Sequence, residues 1–132
     1  MPSPIRIKRI EDRIRQDLSE MLARGQIHDP RLAGISVTDV KVDRELAYAN
    51  IYVSALEGVS RSKDVLEGLK SASGFLRSTL AAAIDLRSFP RLRFYWDVTP
   101  EKADRIERLL AELHKSDTPQ ETSGEKEESE ND

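Results

Sequence analysis

The side chains of this 132-residue sequence with the most chemistry to offer are cations, and they gather in three places. Arg6, Lys8, Arg9 and Arg13 stand near the N-terminus, Lys70 and Arg77 bracket Ser73 and Gly74, and Arg87, Arg91 and Arg93 follow closely. Cations held on a rigid surface contact phosphate, and a glycine beside them lets a phosphodiester backbone come close. If Ala72-Ser73-Gly74 is a kink between two helices, it also frees amide donors at the start of the second, where the helix dipole favours an anion. Gly74 could equally serve only to let helices pack tightly. Tyr48, Tyr52 and Tyr95 offer rings on which bases could stack.

Catalytic chemistry finds much less. Cys is absent, so no disulfide, thiolate nucleophile or cysteine-based metal site exists. His28, before Asp29-Pro30, and His114, near the end of the last helical segment, are isolated and give no zinc spacing. The phosphate-binding patterns G-x-x-x-x-G-K-[ST] and G-x-G-x-x-G do not occur, nor does the G-x-S-x-G nucleophile elbow. The acidic pairs Glu11-Asp12 and Asp39 with Asp43 read as solvated charges. The chain is therefore expected not to be an enzyme, with no metal, no cofactor and no small-molecule substrate.

The net charge of −3 is unevenly spread: residues 116–132 carry seven acids against Lys126 alone, leaving 20 basic and 17 acidic side chains in residues 1–115. The acidic tail has no large apolar residue to offset the entropy of ordering it, so it is expected to be disordered. Residues 1–115 should form one domain, mildly basic and compatible with nucleic-acid binding. Met1-Pro2-Ser3-Pro4 leads into charges rather than an apolar stretch, and no run approaches the roughly 20 apolar residues that span a bilayer. A cytoplasmic protein with no membrane partner is expected.

The elements that must position the cations can be read from periodicity. Ile7, Ile10, Ile14, Leu18, Met21 and Leu22 keep helical spacing up to Gly25. Ile35-Ser-Val37 and Val40-Lys-Val42 alternate on opposite parities, which predicts a bulge near Thr38-Asp39. Ala49, Ile51, Val53 and Ala55 alternate with Tyr48, Asn50, Tyr52 and Ser54 in a second strand, the pair forming an antiparallel hairpin. Val65, Leu66, Leu69, Ala72 and Leu76 begin a helix capped by Ser62 or Asp64, and Phe75, Leu76, Leu80, Ala83 and Leu86 continue beyond the kink. Leu92, Phe94, Trp96 and Val98 make a third strand, and Thr99-Pro100 opens a last helix with Ile106, Leu109, Leu110 and Leu113. The order α-β-β-α-kink-α-β plus a C-terminal helix is an α+β sandwich with helices on one face of a small sheet.

Four stretches together resemble the ribosome-binding factor A family: Asp29-Pro30-Arg31-Leu32, the run from Val40 to Ser54, Ala72-Ser73-Gly74-Phe75-Leu76-Arg77, and Leu92-Arg93-Phe94 through Asp97. The resemblance spans most of residues 5–113 and implies a single-domain type II KH-like fold, with the usual G-x-x-G loop replaced by the Ala72-Ser73-Gly74 kink. It further implies binding to the immature small ribosomal subunit and its rRNA, help with late maturation and 5′-end processing, and importance in the cold. The RNA-binding residues expected on this basis are Arg6, Lys8, Arg9, Arg13, Lys70, Ser73, Gly74, Arg77, Arg87 and Arg91, presented by a monomer. A protein-interaction module that touches no nucleic acid is the alternative.

Overall fold

The structure, a computed structural model, describes residues 2–117. Helix α1 (Pro4–Ala23) starts where the Ser3 hydroxyl accepts the Arg6 amide and Pro4 occupies the first turn, a place where a missing N–H costs nothing. Gly25, at φ +67°, ends it in a conformation other residues rarely adopt. Strands β1 (Ile35–Val42) and β2 (Tyr48–Ala55) form the antiparallel hairpin, and their register shifts between Val37 and Asp39, where the bulge was expected. The Asp43 carboxylate closes the hairpin by accepting the Ala47 and Tyr48 amides at 2.7 and 3.0 Å.

Helix α2 (Ser62–Ala83) then leads to β3 (Arg91–Trp96), which pairs with β2 in parallel. The sheet order is β1-β2-β3, so β2 is central. Its inward residues Ala49, Ile51 and Val53 are fully buried in one core with Ile14 and Leu18 of α1 and Leu69, Leu76 and Leu80 of α2. Each such large side chain contributes about 1.5–3 kcal/mol by leaving water. Leu92, Phe94 and Trp96 pack against the same core from β3.

Three readings of the second helical segment need correction. It is one helix of 22 residues, unbroken through Ala72, Ser73 and Gly74, so no second N-terminus and no freed amides exist there. The Ser73 hydroxyl bonds the Lys70 carbonyl at 2.8 Å, three residues back in the same helix, and the ladder absorbs the soft residues. Neither Ser62 nor Asp64 is the N-cap; Arg61 takes that place without a side-chain bond. Phe75 lies off the buried stripe at 52% exposure, because one residue along a helix turns about 100° from Leu76. Glu11, expected in solvent, is buried and accepts the Val42 amide at 2.8 Å, tying α1 to the end of β1.

The chain divides at Val98/Thr99 into two compact units. The second holds α3 (Thr99–Asp117), whose Ile106, Leu109, Leu110 and Leu113 share one side by their spacing. Of the expected acidic tail, Ser116 and Asp117 belong to this helix, and the remainder lies outside the described residues.

Asp29-Pro30-Arg31-Leu32 forms a short 3₁₀ turn at which Asp29 accepts the Arg31 amide and, through both carboxylate oxygens, its guanidinium at 2.8–3.2 Å. Gly68 of α2 rests on this turn: a Cβ there would meet Leu32 Cδ2 at 2.9 Å, Asp29 Oδ2 at 3.3 Å and Arg31 Cβ at 3.4 Å. Leu32 is itself buried, so it has little room to give way. Alanine is the better helix former by about 1 kcal/mol, but overpacking costs about 1–3 kcal/mol. Gly68→Ala should therefore lower stability by about 1 kcal/mol in urea unfolding; a neutral or stabilised variant contradicts this close approach. The Arg31 hydrogen bonds hold the Asp29 carboxyl below its ordinary range, so its stabilisation is present above that range and lost as pH falls through the lowered value. Asp29→Asn should be less stable than the parent at neutral pH, with the difference shrinking at pH values below about 4 in denaturation curves.

Candidate nucleic-acid interface

Where each expected cation is spent separates them sharply. Lys8 pairs with Asp12 at 3.1 Å, one turn along α1. Arg13 pairs with Asp17 at 2.9 Å and donates to the Ala83 carbonyl at 3.2 Å, fastening α1 to the end of α2. Arg77 donates to the Phe89 and Pro90 carbonyls at 2.6 and 3.1 Å, holding the loop that feeds β3. Arg6, Arg9, Lys70, Arg87 and Arg91 are exposed, with no ion-pair partner among the described residues.

These residues do not share one surface. Arg6 and Arg87 line a cavity beside the β1–β2 turn, where Glu45 offsets part of their charge. Lys8 lines another with Arg44 and Glu11, and Arg13 a third with Arg24, Asp17 and Glu20. Lys70 and Ser73 instead line a groove of about 360 Å³ between α2 and the edge strand β3. Leu66, Leu92 and Phe94 supply its apolar lining, while Arg93 and Tyr95 complete the polar one, giving two cations and no acid. A cleft with apolar walls, an aromatic ring and two cations is chemically compatible with a base and its phosphate.

Gly74 is exposed on α2, and a Cβ there would meet nothing within 4 Å. It therefore has no packing role; the tight contact belongs to Gly68, earlier on α2. Arg93, left out of the expected set, lines the groove and is oriented by donating to Asn50 Oδ1 at 2.9 Å while its guanidinium lies 3.8 Å from the Tyr48 ring centre. The alternation Arg91-x-Arg93-x-Tyr95 was the available signal, since all three must share a side of β3. Among the described residues no group of three or more His, Cys, Asp or Glu could hold a metal ion, and no helix is long and apolar enough to cross a membrane.

Comparison with known proteins places this geometry among relatives. The family described as Ribosome-binding factor A matches over residues 6–110. A Ribosome-binding factor A of Alcanivorax borkumensis is 39% identical over 113 residues, covering 85% of this chain and 82% of the relative. A ribosome binding factor A structure from Thermotoga maritima is 33% identical with a TM-score of 0.62, covering 72% of this chain and 90% of that one. A homology model of Thermus thermophilus ribosome binding factor A, fitted into a cryo-EM map of a complex of that factor with the 30S subunit, is 28% identical with a TM-score of 0.50, covering 66% of this chain and 96% of that one. The architecture is the KH-like α+β fold of these structures.

The two classes of cation predict different consequences of mutation. Arg77→Ala leaves two loop carbonyls without a charged donor and should cost about 1 kcal/mol of stability. Arg91→Ala touches no such partner and should stay within about 0.5 kcal/mol of the parent. Equal thermal unfolding of the two variants would contradict the division between fold-holding and free cations.

Proposed function

Since the chain belongs to the ribosome-binding factor A family, we propose that it is a ribosome assembly factor that binds the immature small subunit and its rRNA. In this reading it assists late maturation and 5′-end processing without catalysing a step, and it matters most for growth in the cold. It acts in the cytoplasm as a monomer, residues 1–115 serving as the RNA-binding domain with residues 116–132 appended. The observation that carries the proposal is the α2–β3 groove, which combines Lys70 and Arg93 with apolar lining and no carboxylate. The Thermus relative's place in a 30S complex supports the same partner.

Phosphates would be met by Lys70 and by Arg91, which precedes the groove on the same strand, while the exposed backbone at Gly74 gives an RNA chain close access to α2. Binding then stabilises one local rRNA arrangement, and chemistry on the RNA belongs to other factors. Each phosphate contact on irregular RNA contributes about 0.7 to the slope of log affinity against log salt. Lys70→Ala with Arg91→Ala should weaken co-sedimentation with immature small subunits and make that slope shallower by about 1.4. Salt-independent binding, or a double variant that binds as the parent does, would remove the groove from the RNA interface. A strain lacking the protein should accumulate unprocessed 5′ ends at low temperature; normal processing there would remove the maturation role.

A further inference from the structure

The sheet has a second face, on which neither α1 nor α2 packs, and its side chains are unusual for a merely solvated surface. Parallel register sets Tyr52 of β2 beside Tyr95 of β3, their rings stacked with centres 5.5 Å apart and planes at 27°. One step along, Asn50 pairs with Arg93, whose planar guanidinium lies over the Tyr48 ring. Arg91 stands opposite Tyr48, and Lys41 of β1 opposite Asn50. Two acids also stand on this face beside the stack, and both are engaged: Asp39, opposite Tyr52, pairs with Lys41 at 3.7 Å, and Asp97 accepts the Thr38 hydroxyl.

We propose that this second face, carrying the Tyr52–Tyr95 stack beside the Arg93–Tyr48 pair, is a stacking surface for unpaired RNA bases that adjoins the α2–β3 groove at Arg93 and Tyr95. The inference rests on RNA being the partner and adds what part of the RNA is taken. Tyr95 is 40% exposed, so part of the stacked pair is within reach of a ligand. Arg93 uses Nε on Asn50 and lies over the Tyr48 ring, which leaves its terminal guanidinium nitrogens to meet a phosphate adjoining a stacked base. Cross-strand tyrosine pairs also stabilise sheets. Sheet stability alone, however, does not call for the cations Arg91 and Arg93 beside the rings, whereas a polyanion with exposed π-faces complements both. Duplex RNA fits poorly, because its bases already stack on each other and its backbone, not its rings, faces outward. Unpaired residues of a loop or a free end supply both features.

The test uses the full chain, a labelled unpaired oligonucleotide, a duplex of the same sequence, and fluorescence anisotropy. In Tyr52→Leu/Tyr95→Leu the bulk stays but the π-faces go, and affinity for the unpaired probe should fall at least tenfold. Tyr52→Phe/Tyr95→Phe should bind as the parent does, and the salt slope should be the same in all three because no cation is removed. Circular dichroism on each variant verifies that the sheet is intact, with Tyr95→Leu alone, on the edge strand, as the milder variant should the double one unfold. Parental affinity in folded Leu variants, an equal loss on duplex, or a Phe pair that behaves like the Leu pair overturns the proposal. So does weakened binding to subunits with unchanged binding to protein-free rRNA, since the face then takes a ribosomal protein. A parent that binds subunits but no unpaired probe overturns the stacking surface alone; a parent that binds neither overturns the assembly-factor reading with it.

Discussion

Parallel pairing of β2 with β3 is the constraint from which the rest of the molecule follows. A strand cannot be joined to a parallel neighbour by a tight turn; the chain must first travel back along the sheet. β2, at eight residues, spans about 26 Å, and the 22 residues of α2 make about 33 Å of helix, enough for the return. That return lays α2 beside the edge strand it feeds, and the groove lined by Lys70, Ser73, Arg93 and Tyr95 is the space left between them. It also makes β2 the central strand, so Ala49, Ile51 and Val53 face the helices while Tyr48, Asn50 and Tyr52 face outward.

An unbroken α2 changes the proposed way of holding RNA. A kink would have supplied backbone amides at a helix start, a preformed anion site. A continuous helix satisfies those amides internally, leaving cationic side chains and the bare backbone surface at Gly74 as the available means. Fewer cations are free than the sequence displays, because Arg13 and Arg77 are occupied with main-chain carbonyls that hold α2 and the loop after it in place. Basic residues thus divide between holding the fold together and standing exposed on its surface.

Much of the fold was legible because its signals are periodic. The helical stripe from Ile10 to Met21, the parity change at Thr38-Asp39 and the alternation along β2 each follow from one face being buried, and each element formed as expected. Legibility failed where a residue's role depends on a distant partner. Gly68 and Gly74 look alike in sequence, yet only the first is pressed against Leu32, a contact that exists once α2 folds over the 3₁₀ turn. Glu11 reads as a surface acid until β1 brings the Val42 amide to it. Arg77 reads as a free cation until the loop at Phe89-Pro90 closes beneath it. In the candidate site, the strand alternation could place Arg91, Arg93 and Tyr95 together, but nothing local could join Lys70 to them.

Backbone amide chemical shifts recorded while an rRNA fragment from the small-subunit 5′ region is titrated into the protein test the central claim most directly. Perturbations concentrated on Leu66 to Ser73 of α2 and Arg91 to Tyr95 of β3 are expected. Perturbations confined to the Lys8, Arg9 and Arg13 side of α1, with α2 and β3 unmoved, would show that the RNA is held elsewhere.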